Sequence, residues 1–239
     1  MPILPSFILF DLDDTILDYT ASGRRCWQEL CHSYGPRLGL DPEQLLAALQ
    51  QTSHWYWSDP ERHRLGRMNL KSARRQMLRL TLDRLGLDCQ DPGQEMADAF
   101  TVQREEVVSP FPGAIAALQD FREQGVKMAL ITNGASESQR NKIQRFGLAG
   151  YFEVIVIEGE FGVGKPDLSV FRHALDRLGA APRLAWMVGD DLERDIQPAQ
   201  QLGLWTVWVD NDGSGLRAGS PVRPDEWISS LAELSSHFG

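Results

Sequence analysis

Short apolar runs that alternate with helical patterns constrain the fold of this chain more than any other feature. Continuous apolar runs are typical of strands buried on both faces, and their alternation with helices indicates a parallel sheet covered on both sides. We therefore predict the α/β class, with a doubly wound, Rossmann-like parallel sheet. The predicted strands are 6–10, 126–131, 154–157, 184–188 and 206–209, and the predicted helices are 136–146, 168–178 and a segment ending near 202–203.

Between the first strand and the others, the sequence indicates one helix after another. Leu78, Leu82 and Leu85 follow helical spacing. Asp41 and Pro42 form the pattern of an N-cap followed by a first-turn proline. The simplest architecture is an α/β core into which a helical cap is inserted, with the core at residues 1–17 and 110–239 and the cap at 18–109.

Net charge limits the classes of partner. A formal charge of −9 over 239 residues argues against binding nucleic acid or anionic membranes through net charge. No apolar run approaches the length of a membrane span, and residues 1–5 lack the basic start and apolar core of a signal peptide. We expect a small-molecule partner, no nucleic acid and no membrane. A monomer and a homodimer both stay open.

The three cysteines, Cys26, Cys31 and Cys89, show no metal-ligand spacing. Free, buried thiols in a reducing cytosol are the simpler interpretation, because disulfides are rare in that compartment. We therefore expect a cytoplasmic protein.

Two aspartates, Asp11 and Asp13, follow the first strand. Alternate side chains of an extended segment share a face, so the two carboxylates point the same way. Such a pair is costly to desolvate and persists mainly where a cation or a proton transfer compensates for the repulsion. Asp11 could attack phosphorus as a nucleophile, while Asp13 could protonate the leaving oxygen and later activate water.

Polar residues also follow the other predicted strands, at the edge where open parallel sheets bind their ligands. Thr132 and Asn133 precede a helix and could donate hydrogen bonds to phosphate oxygens. Lys165 would add a fixed positive charge between nucleophile and phosphate.

A cluster of aspartates follows the fourth strand. Asp190, together with Asp11 and Asp13, is a candidate ligand of Mg²⁺, which prefers oxygen donors and would offset the repulsion between carboxylates. Asp191 and Asp195 lie four residues apart on a helix face and could hold metal-bound waters or orient Lys165. Asp191 could equally do no more than complement a helix N-terminus.

These four segments resemble the four motifs of the haloacid dehalogenase superfamily: D-x-D-x-T, a Thr or Ser after the second strand, Lys-Pro, and G-D-D-x-x-x-D. The position of the inserted helices is similar to that in its helical-cap subfamily. Residues 10–15, 131–134 and 162–166 resemble its branch of pyrimidine 5′-nucleotidases and N-acylneuraminate-9-phosphatases. The resemblance implies a Mg²⁺-dependent phosphatase that acts on a small phosphorylated metabolite through an aspartyl-phosphate.

Three other functions stay open on the same residues. A phosphomutase of this fold would return the phosphoryl group to a sugar, and the residues do not separate it from a phosphatase. A 2-haloacid dehalogenase is disfavoured, because dehalogenases of the superfamily lack the aspartate equivalent to Asp13. A catalytically silent binding protein is disfavoured by the complete set of motifs.

Two features of the predicted cap and a set of tryptophans have simpler explanations than ligand binding. Residues 54–57, three of them aromatic, are interpreted as packing rather than as a stacking surface for a base. A basic stripe is interpreted as a solvated helix face. Packing is also the expected role of the tryptophans in or beside core strands. The stripe comprises Arg67, Lys71 and Arg74 or Arg75, and the tryptophans are Trp186, Trp205 and Trp208.

Overall fold

The computed structural model describes residues 4–87 and 90–236. Contacts divide the chain into a sheet unit, Met1–Asp18 with Ser109–Gly239, and a helical unit, Tyr19–Val108. Cys89 lies outside the described residues. Within the described ranges, no helix is both long enough and apolar enough to traverse a bilayer.

The sheet unit contains the strands. Six of them form one sheet in which every neighbouring pair is parallel, and two short ones form an antiparallel ribbon. The strands are β1 (Phe7–Phe10), β2 (Leu17–Asp18), β3 (Ser109–Pro110), β4 (Lys127–Thr132), β5 (Val154–Ile157), β6 (Ala185–Gly189), β7 (Trp205–Val209) and β8 (Glu226–Ile228).

The order of the large sheet is β5-β4-β1-β6-β7-β8. The chain therefore builds outward from β1 in both directions, and the carboxyl end of β1 is a switch point where open sheets bind ligands. The prediction of a parallel α/β sheet is confirmed. The short edge strand β8 is an addition that the sequence pattern did not reveal.

Helices belong to both units. In the helical unit, α1 to α5 make up nearly the whole structure, whereas α6 to α11 accompany the sheet. The helices are α1 (Thr20–Tyr34), α2 (Pro42–Ser58), α3 (Pro60–Met68), α4 (Leu70–Arg84), α5 (Gln90–Val107), α6 (Ala114–Glu123), α7 (Ser136–Arg145), α8 (Glu158–Phe161), α9 (Leu168–Leu178), α10 (Gln197–Leu202) and α11 (Leu231–Ser236).

Alternation along β1 buries its side chains on both faces of the sheet. Leu9 belongs to the core cluster that contains Phe171 of α9. Phe10 points to the opposite face, where its ring lies 6.3 Å from that of Phe121 on α6. Burial on both faces explains why the strand is continuously apolar up to its last residue and why polar residues begin only where the strand ends.

The core of the helical unit consists of leucines, sulfur-containing side chains and aromatic residues from α1, α2, α4 and α5. Leu78 and Leu82 are fully buried there, as their spacing predicts. The side chain of Asp41 accepts from the backbone N–H groups of Glu43 and Gln44, so the predicted N-cap of α2 is confirmed.

The predicted basic stripe is not uniformly solvated. Arg75 pairs with Asp98, which Lys71 also approaches, at 4.0 Å. Arg74, in contrast, is only 7% exposed, and its Nη1 donates to Thr101 Oγ1 of α5 at 3.1 Å. The interpretation as a solvated face is wrong for Arg74, because this residue lies on the side of α4 that packs against α5.

The aromatic segment 54–57 divides in a similar way. Tyr56 is buried, and its ring lies 4.9 Å from that of Trp57, so the packing interpretation is confirmed for this pair. Trp55 is 40% exposed, and the guanidinium carbon of Arg62 lies 3.9 Å from its ring centroid. The packing interpretation is therefore wrong for Trp55, which is not buried in the bundle.

Candidate active site

The end of β1 places Asp11 at the carboxyl edge of the sheet. Its backbone N–H donates to the carbonyl of Val188 at 3.0 Å, which continues the pairing of β1 with β6 by one residue. The residue is 7% exposed, and its Oδ2 accepts from Thr15 Oγ1 at 3.3 Å. A candidate nucleophile is thus held by the sheet itself.

The loop after Asp13 turns sharply. Asp14 has φ 64°, a left-handed conformation that aspartate tolerates better than most residues. Asn211 Nδ2 donates to the carbonyl of Asp14 at 2.7 Å, so a residue distant in the sequence stabilises the turn.

Lys165 lies between two carboxylates. Its Nζ donates to Asp11 Oδ1 and to Asp195 Oδ1, both at 2.6 Å, and its side chain is 3% exposed. Burial alone would lower the pKa of Lys165, but the two carboxylates outweigh burial and raise this pKa above its usual range. Lys165 is therefore a fixed positive charge at neutral pH.

Three buried or half-buried carboxylates converge beside this lysine. One oxygen each of Asp11, Asp190 and Asp195 lie within 4.8 Å of one another. Burial raises the pKa of all three, and repulsion adds to the shift, from Asp13 at Asp11 and from Asp11 at Asp190 and Asp195. The pKa of Asp195 rises to about 7 although Lys165 opposes the shift. Three carboxylates beside one ammonium leave excess negative charge at this edge.

The donor set fits Mg²⁺. Carboxylate oxygens are the ligands that this hard cation prefers, and their mutual repulsion is the cost that a divalent cation removes. Thr15 Oγ1 lies 3.1 Å from Asp190 Oδ1 as well as near Asp11, so one hydroxyl joins two of the acids. Trp208 Nε1 donates to the backbone carbonyl of Asp190 at 2.6 Å, so this tryptophan does more than pack.

A glycine makes room for Asp195. A Cβ at Gly189, the last residue of β6, would overlap the Asp195 carboxylate. Only glycine lets the strand and the acid approach this closely. Asp195 Oδ2 also accepts from the backbone N–H of Asp191 at 3.1 Å, which fixes the carboxylate that holds Lys165.

Asp191 caps a short π-helical turn at Leu192–Ile196. Its Oδ1 accepts from the backbone N–H groups of Glu193 and Arg194, both at 2.9 Å, and its Oδ2 pairs with the Arg194 side chain. Of the two interpretations of this residue, the one as a helix cap matches these contacts.

The structure does not bring the Asp13 carboxylate into the cluster formed by Asp11, Asp190 and Asp195. Lys142 Nζ lies 2.7 Å from Asp13 Oδ1 and 2.5 Å from Oδ2, and Gln139 Nε2 donates to Oδ2 at 3.1 Å. The predicted role of the Asp13 side chain as a metal ligand therefore has no support in the geometry of this cluster.

Thr132 and Asn133 follow β4 as predicted, but their side chains already have partners. Thr132 Oγ1 accepts from Gln139 Nε2 at 2.5 Å. Asn133 Oδ1 accepts from the Lys165 backbone N–H, and Asn133 Nδ2 donates to the Lys165 carbonyl, both at 2.8 Å. The Asn133 amide therefore holds the loop that carries Lys165, a contact that the sequence prediction did not include.

Comparison with known proteins decides the family. The family model for haloacid dehalogenase-like hydrolases matches residues 6–203. The chain is a haloacid dehalogenase-like hydrolase. This confirms the superfamily resemblance inferred from the four motifs.

Relatives of this hydrolase are similar over nearly their whole length. The phosphoserine phosphatase of Thermus thermophilus is 31% identical over an alignment 249 residues long that covers 95% of this chain and 96% of that one. The pyrimidine 5′-nucleotidase YjjG of Escherichia coli is 30% identical over 229 residues, with 95% of each chain covered. The second relative belongs to the branch that the motif details resemble.

A solved structure supports the fold. The magnesium-bound HAD-hydrolase YfnB of Bacillus subtilis superposes with a TM-score of 0.76 at 23% identity, and the alignment covers 98% of this chain and 99% of that one. At this identity the likeness concerns the fold alone.

Several residues of the hydrolase's site were not predicted. Thr15 is the last residue of the D-x-D-x-T pattern, which does not by itself indicate the contacts of its hydroxyl with Asp11 and Asp190. The spacing of Gln139 and Lys142 does indicate a shared face, because they lie three residues apart on the helix that follows Thr132. Trp208 shows no such signal, since its indole N–H reaches Asp190 only through the pairing of β6 with β7.

Proposed function

We propose that this hydrolase is a Mg²⁺-dependent phosphatase that hydrolyses a small phosphomonoester, a nucleotide or a sugar phosphate, through an aspartyl-phosphate on Asp11. The observation that carries the proposal is the convergence of the Asp11, Asp190 and Asp195 carboxylates at the switch point of the sheet, where the Lys165 ammonium contacts Asp11 and Asp195. Relatives whose names specify phosphate esters support the same reaction class.

In the first step of the proposed reaction, a carboxylate oxygen of Asp11 attacks phosphorus and the bond from phosphorus to the leaving oxygen breaks. Asp13 gives its proton to that oxygen, which departs as an alcohol. In the second step Asp13 takes a proton from water, the water oxygen bonds to phosphorus, and the bond from phosphorus to Asp11 breaks. The products are the free alcohol and inorganic phosphate.

Asp11 and Asp190 would hold Mg²⁺ through side-chain oxygens, with Asp13 contributing its main-chain oxygen. When bound there, the cation would neutralise charge that develops on the phosphoryl oxygens. Asp195 holds Lys165, and Lys165 presents a positive charge next to the attacking oxygen of Asp11. Asp191 supports this arrangement as the cap of the turn that carries Asp195.

The phosphate cradle in this proposal consists of Thr132, Asn133 and Lys165. The Thr132 hydroxyl lies at the end of β4, and the chain continues into α7, whose N-terminal backbone N–H groups favour anions. Since the Asn133 amide is engaged by Lys165, we assign Asn133 to the cradle through its backbone and through the lysine that it positions.

We also assign catalysis to residues 1–17 and 110–239 and substrate selection to a helical cap at 18–109. The same core serves many phosphate esters, so specificity belongs to the inserted part. A cytoplasmic location agrees with Cys26 and Cys31, which are free buried thiols.

A single assay tests the proposal. The protein should hydrolyse p-nitrophenyl phosphate and at least one member of a panel of nucleoside monophosphates and sugar phosphates in Mg²⁺, and lose this activity in EDTA. Asp11→Asn should abolish turnover without changing the circular dichroism spectrum. Undiminished metal-dependent hydrolysis by Asp11→Asn would remove the covalent mechanism.

The same preparation separates the alternatives. Halide release from a 2-haloacid in EDTA would favour a dehalogenase. Conversion of a hexose 1-phosphate to its 6-phosphate without release of inorganic phosphate would favour a phosphomutase. Absence of every activity, with the fold intact, would favour a silent binding protein.

A further inference from the structure

We propose that Gln139 and Lys142 are positioning residues that hold the Asp13 carboxyl group where it exchanges protons with the leaving group and with water. The inference rests on the proposed phosphatase function, which gives Asp13 the role of acid and base. It concerns two residues of α7 that belong to none of the four sequence motifs.

The contacts around Asp13 are unusually complete for a side chain on a loop. Three hydrogen bonds from α7 reach its two oxygens, two from Lys142 at 2.5 and 2.7 Å and one from Gln139 at 3.1 Å. The Lys142 side chain is 12% exposed and that of Asp13 is 23% exposed, so the pair is partly shielded from solvent. Both rotatable bonds of Asp13 are thereby fixed from a regular helix.

Gln139 connects the acid to the phosphate cradle. A glutamine amide nitrogen carries two hydrogens, and Nε2 of Gln139 contacts both Asp13 Oδ2 and Thr132 Oγ1. Gln139 is 2% exposed, so the surrounding core fixes its rotamer. One amide group therefore sets the spacing between the proposed proton donor and the hydroxyl proposed to bind phosphate, as accurate positioning requires.

A purely structural ion pair explains these contacts less well. Another face of α7 already has an anchor, because Arg140 forms two hydrogen bonds with Glu160, at 2.7 and 2.6 Å, and Ser136 donates to the same carboxylate. Ile143 is also buried. The attachment of α7 through Glu160 is thus separate from the contacts that α7 makes with Asp13.

The test compares substrates whose leaving groups differ in their need for a proton. p-Nitrophenolate departs without protonation, whereas the alkoxide of glycerol 2-phosphate does not. The quantity measured is kcat/KM, because it reports the transfer to Asp11 and is insensitive to the later hydrolysis. For Lys142→Met we expect a loss of about 10²-fold on glycerol 2-phosphate and less than about tenfold on p-nitrophenyl phosphate, in line with the usual contribution of general acid catalysis.

Three controls make the comparison specific. Lys142→Arg keeps a donor on Asp13 and should recover most of the activity on glycerol 2-phosphate. Arg140→Met removes an ion pair from the same helix without touching Asp13, and should leave the ratio of the two kcat/KM values unchanged. In an Asp13→Asn background, Lys142→Met should cause no further selective loss, since contacts that act through one residue are not additive.

If Lys142→Met does not fold, as judged by circular dichroism, Gln139→Leu serves the same comparison, because it removes a neutral donor from the same carboxylate. An equal loss on both substrates, or an undiminished loss in the Asp13→Asn background, would overturn the positioning role while leaving the phosphatase intact. A wild-type protein without phosphatase activity would instead overturn the proposed function, and this inference with it.

Discussion

Lys165 and Lys142 both pair with aspartates at the carboxyl edge of the sheet, but their surroundings differ. Lys165 is 3% exposed and is shared by Asp11 and Asp195, with Asp190 close by. Lys142 is 12% exposed and pairs with Asp13. The first region gathers three carboxylates at one lysine, whereas in the second one lysine contacts one acid.

This difference indicates separate tasks. Buried carboxylates in excess raise one another's pKa and create a place that a divalent cation stabilises. A balanced, partly exposed pair contributes little to the binding of a cation but restricts the orientation of its acid. In the proposed mechanism the first region would hold the cation and the second would transfer protons, and each lysine serves one of them.

The largest effect should come from Lys165. Lys165→Met removes the ammonium from the nucleophile and from Asp195, and we expect kcat on p-nitrophenyl phosphate to fall by about 10³-fold, as for loss of one electrostatic contact to a reacting group. Lys127→Met, at the exposed first residue of β4, is the matched control. A Lys165→Met enzyme within tenfold of wild type would place the essential charge elsewhere.

Metal binding should stabilise the region with excess negative charge. At about 100 times its dissociation constant, Mg²⁺ should raise the free energy of unfolding by about 2.7 kcal/mol. Urea titrations with and without EDTA measure the change. Asp190→Asn should reduce it, whereas Asp191→Asn, at a helix cap that is not among the assigned ligands, should retain it. An equal Mg²⁺ effect in both variants would contradict the assigned ligands.

Without metal, stability should depend on pH in a direction opposite to that of an ordinary salt-bridged acid. The pKa of Asp195 is about 7 in the folded protein against an ordinary 3.8, so the folded state binds more protons than the unfolded state between these values. In EDTA the free energy of unfolding should therefore fall as pH rises through this window.

Urea titrations at the two ends of that window check the expected fall in stability. Asp195→Asn cannot lose a proton there, and its pH dependence should be weaker than that of the wild type. Stability that rises with pH in the wild type and falls in Asp195→Asn would refute the prediction.

The smallest effect should come from the indole that orients Asp190. Trp208→Phe removes the hydrogen bond from Nε1 to the Asp190 carbonyl but keeps an aromatic ring, so we expect a loss of about 1 kcal/mol in stability and a modest loss in Mg²⁺ affinity. Trp227→Phe alters the neighbouring ring, which is 48% exposed, and is the control. Equal effects of the two substitutions would mean that packing alone matters.

The sequence contained enough to bring Asp11, Lys165 and Asp190 to one edge, because parallel strands with continuous apolar runs must share their carboxyl ends. It also located α7 and α9 closely. In the helical unit, spacing identified the buried leucines, since burial of a helix face has a regular period.

The sequence does not indicate which side chains contact one another in the site. Alternation along an extended segment predicts that Asp11 and Asp13 point the same way. Instead, Asp13 contacts α7, and Asp195, from another segment, approaches Asp11. Asn133 looked like a phosphate donor and instead contacts the Lys165 backbone. These choices depend on rotamers and on the packing of segments distant along the chain, whereas periodicity reports only which face of an element is buried.

The antiparallel ribbon of β2 and β3 has a consequence for how such an enzyme can change its preferences. Leu17 pairs with Pro110 and Asp18 with Ser109, so the chain leaves the sheet unit and returns to it at adjacent points. The helical unit is therefore a single insertion between two adjacent points of the sheet unit. Under the proposed assignment of substrate selection to the inserted helices, a different insert joined at this two-residue junction should change the substrate range and leave the reaction chemistry in place.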